Sequence, residues 1–139
     1  MNPFVNPNKR SITLPDGCKD LIDVLKHEGG NKIIARRFIC LLLLQADQER
    51  ATELIIDVES PDGWVCLQYK IKGKWYDLDP FPSHIRPDVI AELVRMSNFP
   101  MGQIPGTGVL DECIGDVRLR WSVAMANLEA ECILTRIED

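Results

Sequence analysis

A chain of 139 residues can bury one hydrophobic core and is too short to divide into two ordinary domains. Apolar residues make up 45% and charged residues 27%, a balance that excludes an intrinsically disordered chain. The formal charge of -5 argues against nucleic acid as a partner, because a phosphate backbone rewards a concentrated basic face.

The first fifteen residues carry three prolines and three asparagines, which restrict or cap the backbone more than they extend a helix. Residues 1–15 therefore read as an extended arm and 16–139 as a single domain. The opening MNPFVNPNKR lacks the apolar stretch of a secretory signal, and FICLLLL is far shorter than the ~20 residues a membrane-spanning helix needs. The expectation is a cytoplasmic protein without direct membrane insertion, either a stand-alone chain, which the Met1 start favours, or a fragment cut at a domain boundary. In PDGCKDLIDVLKHEGG, Asp16 is placed to cap a short amphipathic helix, Cys18, Leu21, Ile22 and Leu25 follow at helical spacing, and Gly29-Gly30 end it. A longer helix is predicted from Asn31 to about Arg50. Its apolar residues lie all round, which predicts burial at the centre of the domain against a sheet.

ELIIDVE is β-branched and reads as a strand, and SPDG as a tight turn in which Pro61 sets the bend and Gly63 supplies positive φ. In WVCLQYKI, Val65, Leu67, Tyr69 and Ile71 alternate with Trp64, Cys66, Gln68 and Lys70, the period of a half-buried strand. A short KGK turn leads to a third strand, WYDL. Pro87 suits the first turn of a helix striped with Val89, Ile90, Leu93 and Met96. NFPMGQIPGTG reads as a loop, and two or three strands are predicted within VLDECI, VRLRWSVAM and EAECILTRI. The fold class is α+β, a mostly antiparallel sheet with helices packed on one side.

Residues that attract a chemical reading have plainer ones. The five cysteines, Cys18, Cys40, Cys66, Cys113 and Cys132, form no C-x-x-C pair and have no histidine at ligand spacing. They read as small core hydrophobes in a reducing compartment, in preference to a zinc site or a nucleophile paired with His27 or His84. Glu53, Asp57 and Glu59 share one face of a strand, but no second cluster supplies a nucleophile or an oriented base, so they read as a solvent-facing row. Lys70, Lys72 and Lys74 surround a hairpin tip, where lysines commonly solvate the turn. Arg118 and Arg120 share a strand face, with Arg136 on a neighbouring strand; the reading favoured over an anion site is a face salt-bridged to Glu129, Glu131 and Glu138. Trp64, Trp75 and Trp121 are core anchors or, if exposed, interface anchors. No enzyme, metal or cofactor is expected.

Several short segments in order, ATELIID, QYKIKG, PGTGV, RLRWS and ECILTRI, resemble the PAS-like N-terminal domain of the ATPases of type II secretion and type IV pilus assembly, over roughly residues 38–137. That family shows A-S-D-I-H-I-E, R-Y-R-I-D-G, P-Q-D-G-R and D-L-R-V-S at the first four places and a closing strand ending near L-R-I. Here Glu53 and Ile55 replace its Asp and His, while Gln68, Lys70 and Lys72 replace two arginines and an Asp. Thr107 and Val109 replace acidic and arginine positions, and Arg118 replaces an acid, although Arg120 and Ser122 match. The resemblance implies an anion or nucleotide contact at Lys70, Lys72 and Arg120, since the family's arginines reach phosphates held by a neighbouring motor domain. A lysine keeps the charge there without the planar fork. No G-x-x-x-x-G-K-[ST] loop occurs, so the chain itself lacks the motor's phosphate cradle. What the resemblance implies is a non-catalytic module that binds a secretion or pilus ATPase, its platform protein, or a second copy. The alternative is a PAS-like sensor holding a small ligand, such as a nucleotide, between sheet and helix.

Overall fold

A computed structural model describes residues 12–27, 32–99 and 105–138. Most of the predicted arm, the Gly29-Gly30 stop and part of the predicted loop before Gly106 lie outside them. The chain runs through α1 (Cys18–His27), α2 (Lys32–Gln48), β1 (Ala51–Glu59), β2 (Trp64–Ile71), β3 (Lys74–Asp77) and β4 (Phe81–Pro82). A 3-10 turn at Ser83–Ile85 then enters α3 (Arg86–Met96), followed by β5 (Gly106–Ile114), β6 (Val117–Met125) and β7 (Cys132–Arg136).

The result is one α+β domain, with a seven-stranded antiparallel sheet and, among the described residues, three α-helices. The strand order is β3-β2-β1-β7-β6-β5, with β4 joined to the start of β2. Local chemistry sets the hairpins. Lys72 and Gly73 both take positive φ, 52° and 78°, the left-handed pair that a two-residue hairpin turn needs to follow the strands' own twist. Sequence order places β7 last, yet it inserts between β1 and β6 and closes the centre of the sheet.

All three helices cover one face. α2 lies between α1 and α3 and packs on the sheet, so Ala35, Phe38, Ile39, Leu42, Leu43 and Ala46 are buried while its flanks stay half-buried. This sandwiching explains why the helix is apolar all round: neighbouring helices take the sides that a surface helix would give to water. Below it the sheet contributes Leu54, Ile56, Leu67, Tyr69, Trp121, Val123 and Leu134, each no more than 1% exposed. The Tyr69 hydroxyl donates to the Leu42 carbonyl at 2.5 Å, which satisfies the one polar atom that this ring brings into the core.

Two expectations are corrected. Gly106, Thr107 and Gly108 belong to β5, not to a loop. A Cβ at Gly108 would stand 2.4 Å from the Ser97 carbonyl oxygen, so the glycine admits the end of α3 onto the strand, where the Val109 N–H donates to that same oxygen at 2.9 Å. The cysteines are also not uniformly buried: Cys18 and Cys132 are, Cys40 and Cys66 are half-buried, and Cys113 is exposed. Cys113 lies on edge strand β5 opposite Arg118, and alternation turns it away from the helices. The part of the arm that is described covers a sheet edge, since Ile12 pairs in parallel with Leu78 at the end of β3.

Candidate functional site

Strand alternation that aims one set of side chains at the helices aims the other at a face no described helix covers. Register fixes its rows. Trp75, Lys70, Glu53, Thr135, Ser122 and Val109 stand side by side across six strands. The next row is Asp77, Gln68, Ile55, Ile133, Ala124 and Thr107. The two central strands thus present Ile55, Ile133 and Thr135 beside the charged Glu53, and the edge strand β5 presents Val109 and Thr107 in these rows.

At one margin Lys70 Nζ lies 3.2 Å from Glu53 Oε2 and 5.6 Å from the centre of the Trp75 ring, an ion pair and a cation–π contact at once. Gln68 Nε2 donates to Asp77 Oδ1 at 2.8 Å. At the other margin Arg118 grips Asp111 with two bonds, 3.1 Å from Nε and 2.9 Å from Nη2, and Arg120 Nε stands 3.7 Å from the same carboxylate. The Arg118 hydrogen bond, with both guanidinium charges beside it, holds Asp111 below the usual carboxylate range. Trp64, at the start of β2, is 41% exposed, whereas Trp75 is half-buried and Trp121 is core. Of the three tryptophans, Trp64 is therefore the exposed one.

Lys70 and Arg120 share this face but do not meet. The Lys70 row reaches β6 at Ser122, three strand spacings or ~14 Å away, and Arg120 lies two residues further along. Lys72 stands apart from both. It sits at the hairpin tip beside a groove of about 590 Å³, bordered by Ile12, Gln45, Gln48, Glu49, Arg50 and Tyr76 among others. The three sequence-selected cations therefore do not form one anion cradle.

Arg136 pairs with Trp121, so it is on the helix side, and its Nη2 reaches Asp47 of α2 at 2.6 Å. It borders a cleft of about 370 Å³ together with Arg118 and Arg120. The arginines hold Asp111 and Asp47, acids that the sequence reading did not select. Glu59 also departs from expectation. A register shift between Ile56 and Glu59 places it opposite buried Val65, out of the row that keeps Glu53 on the open face.

Sequence reasoning missed Arg86. Only 6% exposed, its guanidinium donates to three carbonyls: Asp57 at 2.9 Å, Leu128 at 2.9 Å and Ala130 at 2.7 Å. It ties the β1 bulge to the loop before β7, and burial pushes its pKa down. Nothing in IRPDV marks this arginine as buried. Among the described residues no group of three His, Cys, Asp or Glu side chains stands close enough to hold a metal. No protein-family model matches the chain, and no curated protein matches its sequence.

Proposed function

We propose that the chain is a non-catalytic, cytoplasmic protein-interaction module related to the N-terminal domain of the secretion and pilus ATPases, and that it engages such a motor protein through the helix-free face. The supporting observation is the one-sided covering of the sheet: helices bury one face, while the other keeps Ile55 and Ile133 half-buried at its centre and Trp64 exposed at its edge. Apolar side chains at the middle of an otherwise polar face suit contact with a protein surface. Cations spread over separate places suit contacts with a broad protein surface better than the grip of a single phosphate.

The test is a binding isotherm against a purified type II secretion or type IV pilus assembly ATPase at low salt. Saturable binding that Ile133→Arg abolishes, with the circular dichroism spectrum retained, is expected. Absence of binding by the wild-type chain contradicts the motor relationship.

A second reading, a small-ligand sensor, draws on the groove of about 590 Å³ beside Lys72. The space between helices and sheet is filled by Phe38, Tyr69, Phe81 and Trp121, so a ligand would sit at this peripheral groove. Because a ligand that binds only the folded state raises its stability, a saturable rise in Tm with ATP or a cyclic nucleotide, lost in Lys72→Glu, supports this reading.

A further inference from the structure

One end of the sheet combines exposed apolar side chains with nearly all of the protein's unbalanced charge. Among the described residues five large hydrophobics are exposed, and three of them, Val58, Trp64 and Leu128, are tied to the buried Arg86. Its guanidinium donates to the carbonyl of Asp57, next to Val58, and to the carbonyl of Leu128 itself. Its backbone N–H donates to the Ser83 carbonyl, and the Ser83 N–H donates to the carbonyl of Gly63, next to Trp64. Register brings Val58 toward Trp64 as well. Ile56 pairs with Leu67 and Glu59 with Val65, so Asp57 and Val58 together oppose Cys66, which shares its side of β2 with Trp64. A bulge, a turn and a loop thus present three apolar side chains on one fixed frame. Scattered singly such residues would be ordinary; gathered and rimmed by polar groups they mark a contact surface.

The charge of this end says what it contacts. Residues 57–64 and 126–131 contain Asp57, Glu59, Asp62, Glu129 and Glu131 and no lysine, arginine or histidine. The rest of the chain holds 21 − 5 = 16 acidic residues against 16 lysines and arginines, so the whole formal charge of -5 falls within these two segments. Even with the Arg86 charge beneath them counted, the sum is 1 − 5 = -4. Glu59, Asp62, Glu129 and Glu131 are exposed. Asp57 Oδ1 accepts from the Val58 N–H at 2.7 Å and Asp62 Oδ1 from the Trp64 N–H at 3.2 Å, which holds both carboxylates beside the apolar side chains.

We propose that this end binds a basic amphipathic segment of a partner protein, a stretch in which lysine or arginine is interspersed with large apolar side chains. The proposal rests on the reading of the chain as a protein-interaction module, and it names the chemistry of the segment bound. The apolar side chains of that segment cover Val58, Trp64 and Leu128, and its cations face the exposed carboxylates. A cation over the Trp64 ring gains further attraction. Phosphate-bearing surfaces and acidic segments are repelled by the same carboxylates. Because Arg86 already fixes the three backbone segments, little ordering is left to be done on binding.

The experiment is titration of the isotope-labelled full chain with three synthetic amidated peptides, followed by backbone amide shifts. KLLKKLLKK is expected to bind saturably, with the shifts concentrated in residues 57–64 and 126–131. KSSKKSSKK, of equal charge without apolar side chains, should bind about tenfold more weakly or worse, and ELLEELLEE should not bind. The double variant Glu129→Lys, Glu131→Lys should weaken KLLKKLLKK by about tenfold, and Leu128→Ser by about fivefold. All three positions are exposed, and the Leu128 carbonyl that Arg86 holds remains in the serine variant. No saturable binding of KLLKKLLKK overturns the proposal, as do shifts centred elsewhere, equal binding of KSSKKSSKK, or binding indifferent to both variants. If a motor ATPase binds and both variants leave that binding unchanged, the basic-segment site falls and the interaction module stands. If KLLKKLLKK binds as expected and no ATPase does, the motor relationship falls and the basic-segment site stands.

Discussion

The two faces of the sheet are written by the same strands and held by different physics. Along β6, Leu119, Trp121, Val123 and Met125 turn to the helices and are buried, while Arg118, Arg120, Ser122 and Ala124 turn the other way. Burial of a large apolar side chain stabilises by roughly 1.5–3 kcal/mol, whereas an exposed ion pair contributes about 0–1 kcal/mol. The covered face therefore carries the stability, and the open face contributes little to it. Substitutions on the two faces should accordingly separate folding from association.

The largest effect is expected from Trp121→Ala, which opens a cavity beneath α2 and should cost about 3–5 kcal/mol in urea unfolding. Next comes Arg86→Met. It leaves three inward carbonyls without their donor, so a loss of about 2–4 kcal/mol is expected, with faster hydrogen exchange in the loop before β7 as its local signature. Tyr69→Phe removes a buried hydroxyl bonded to the Leu42 carbonyl and should cost about 1–2 kcal/mol. At the small end, Asp111→Asn should leave the unfolding midpoint at neutral pH unchanged within error while altering the salt dependence of association. Its folded carboxyl is depressed, so whatever stability it gives is present above the unfolded carboxyl value of about 4 and disappears as pH falls through the folded value.

Thiol chemistry sharpens the same contrast. In the folded protein Cys113 should react rapidly with a thiol reagent, and Cys18 and Cys132 only upon unfolding. Burial pushes Cys18 up to about 11 and Cys132 up to about 12. Above an unfolded thiol value of about 8.5, the unfolded chain alone ionises these groups, so stability should fall as pH rises from there toward the folded values. A Cys18→Ala, Cys132→Ala variant should flatten that alkaline slope.

Much of this architecture was legible. Alternation in WVCLQYKI identified the buried Val65, Leu67 and Tyr69, and the all-round apolar run FICLLLL identified the central helix. What remained hidden depends on contacts between distant segments. Cys113 and Cys132 both occur as acid–Cys–Ile in strands, and only the pairing of each strand decides that one faces water and the other the core. Glu59 kept the parity of Glu53 in sequence, but one extra residue in β1 removes it from the row, and a bulge of that kind left no mark in the composition. Period 2 put Arg118 and Arg120 on one face of their strand, but that Lys70 lies on the same face of the sheet comes only from the pairing of β2, β1, β7 and β6. The separation of Lys70 from Arg120 likewise depends on β7 returning to the middle of the sheet.

The central claim, that the face without helices is where this protein meets its partners, is tested most directly by photo-crosslinking from defined positions in the native organism. A benzophenone amino acid at Thr135 reports the open face, and one at exposed Ala91 on α3 reports the helical side. Adducts from Thr135, to a second copy or to a motor ATPase, with none from Ala91, are the predicted result. Adducts from Ala91 with none from Thr135 would contradict the account.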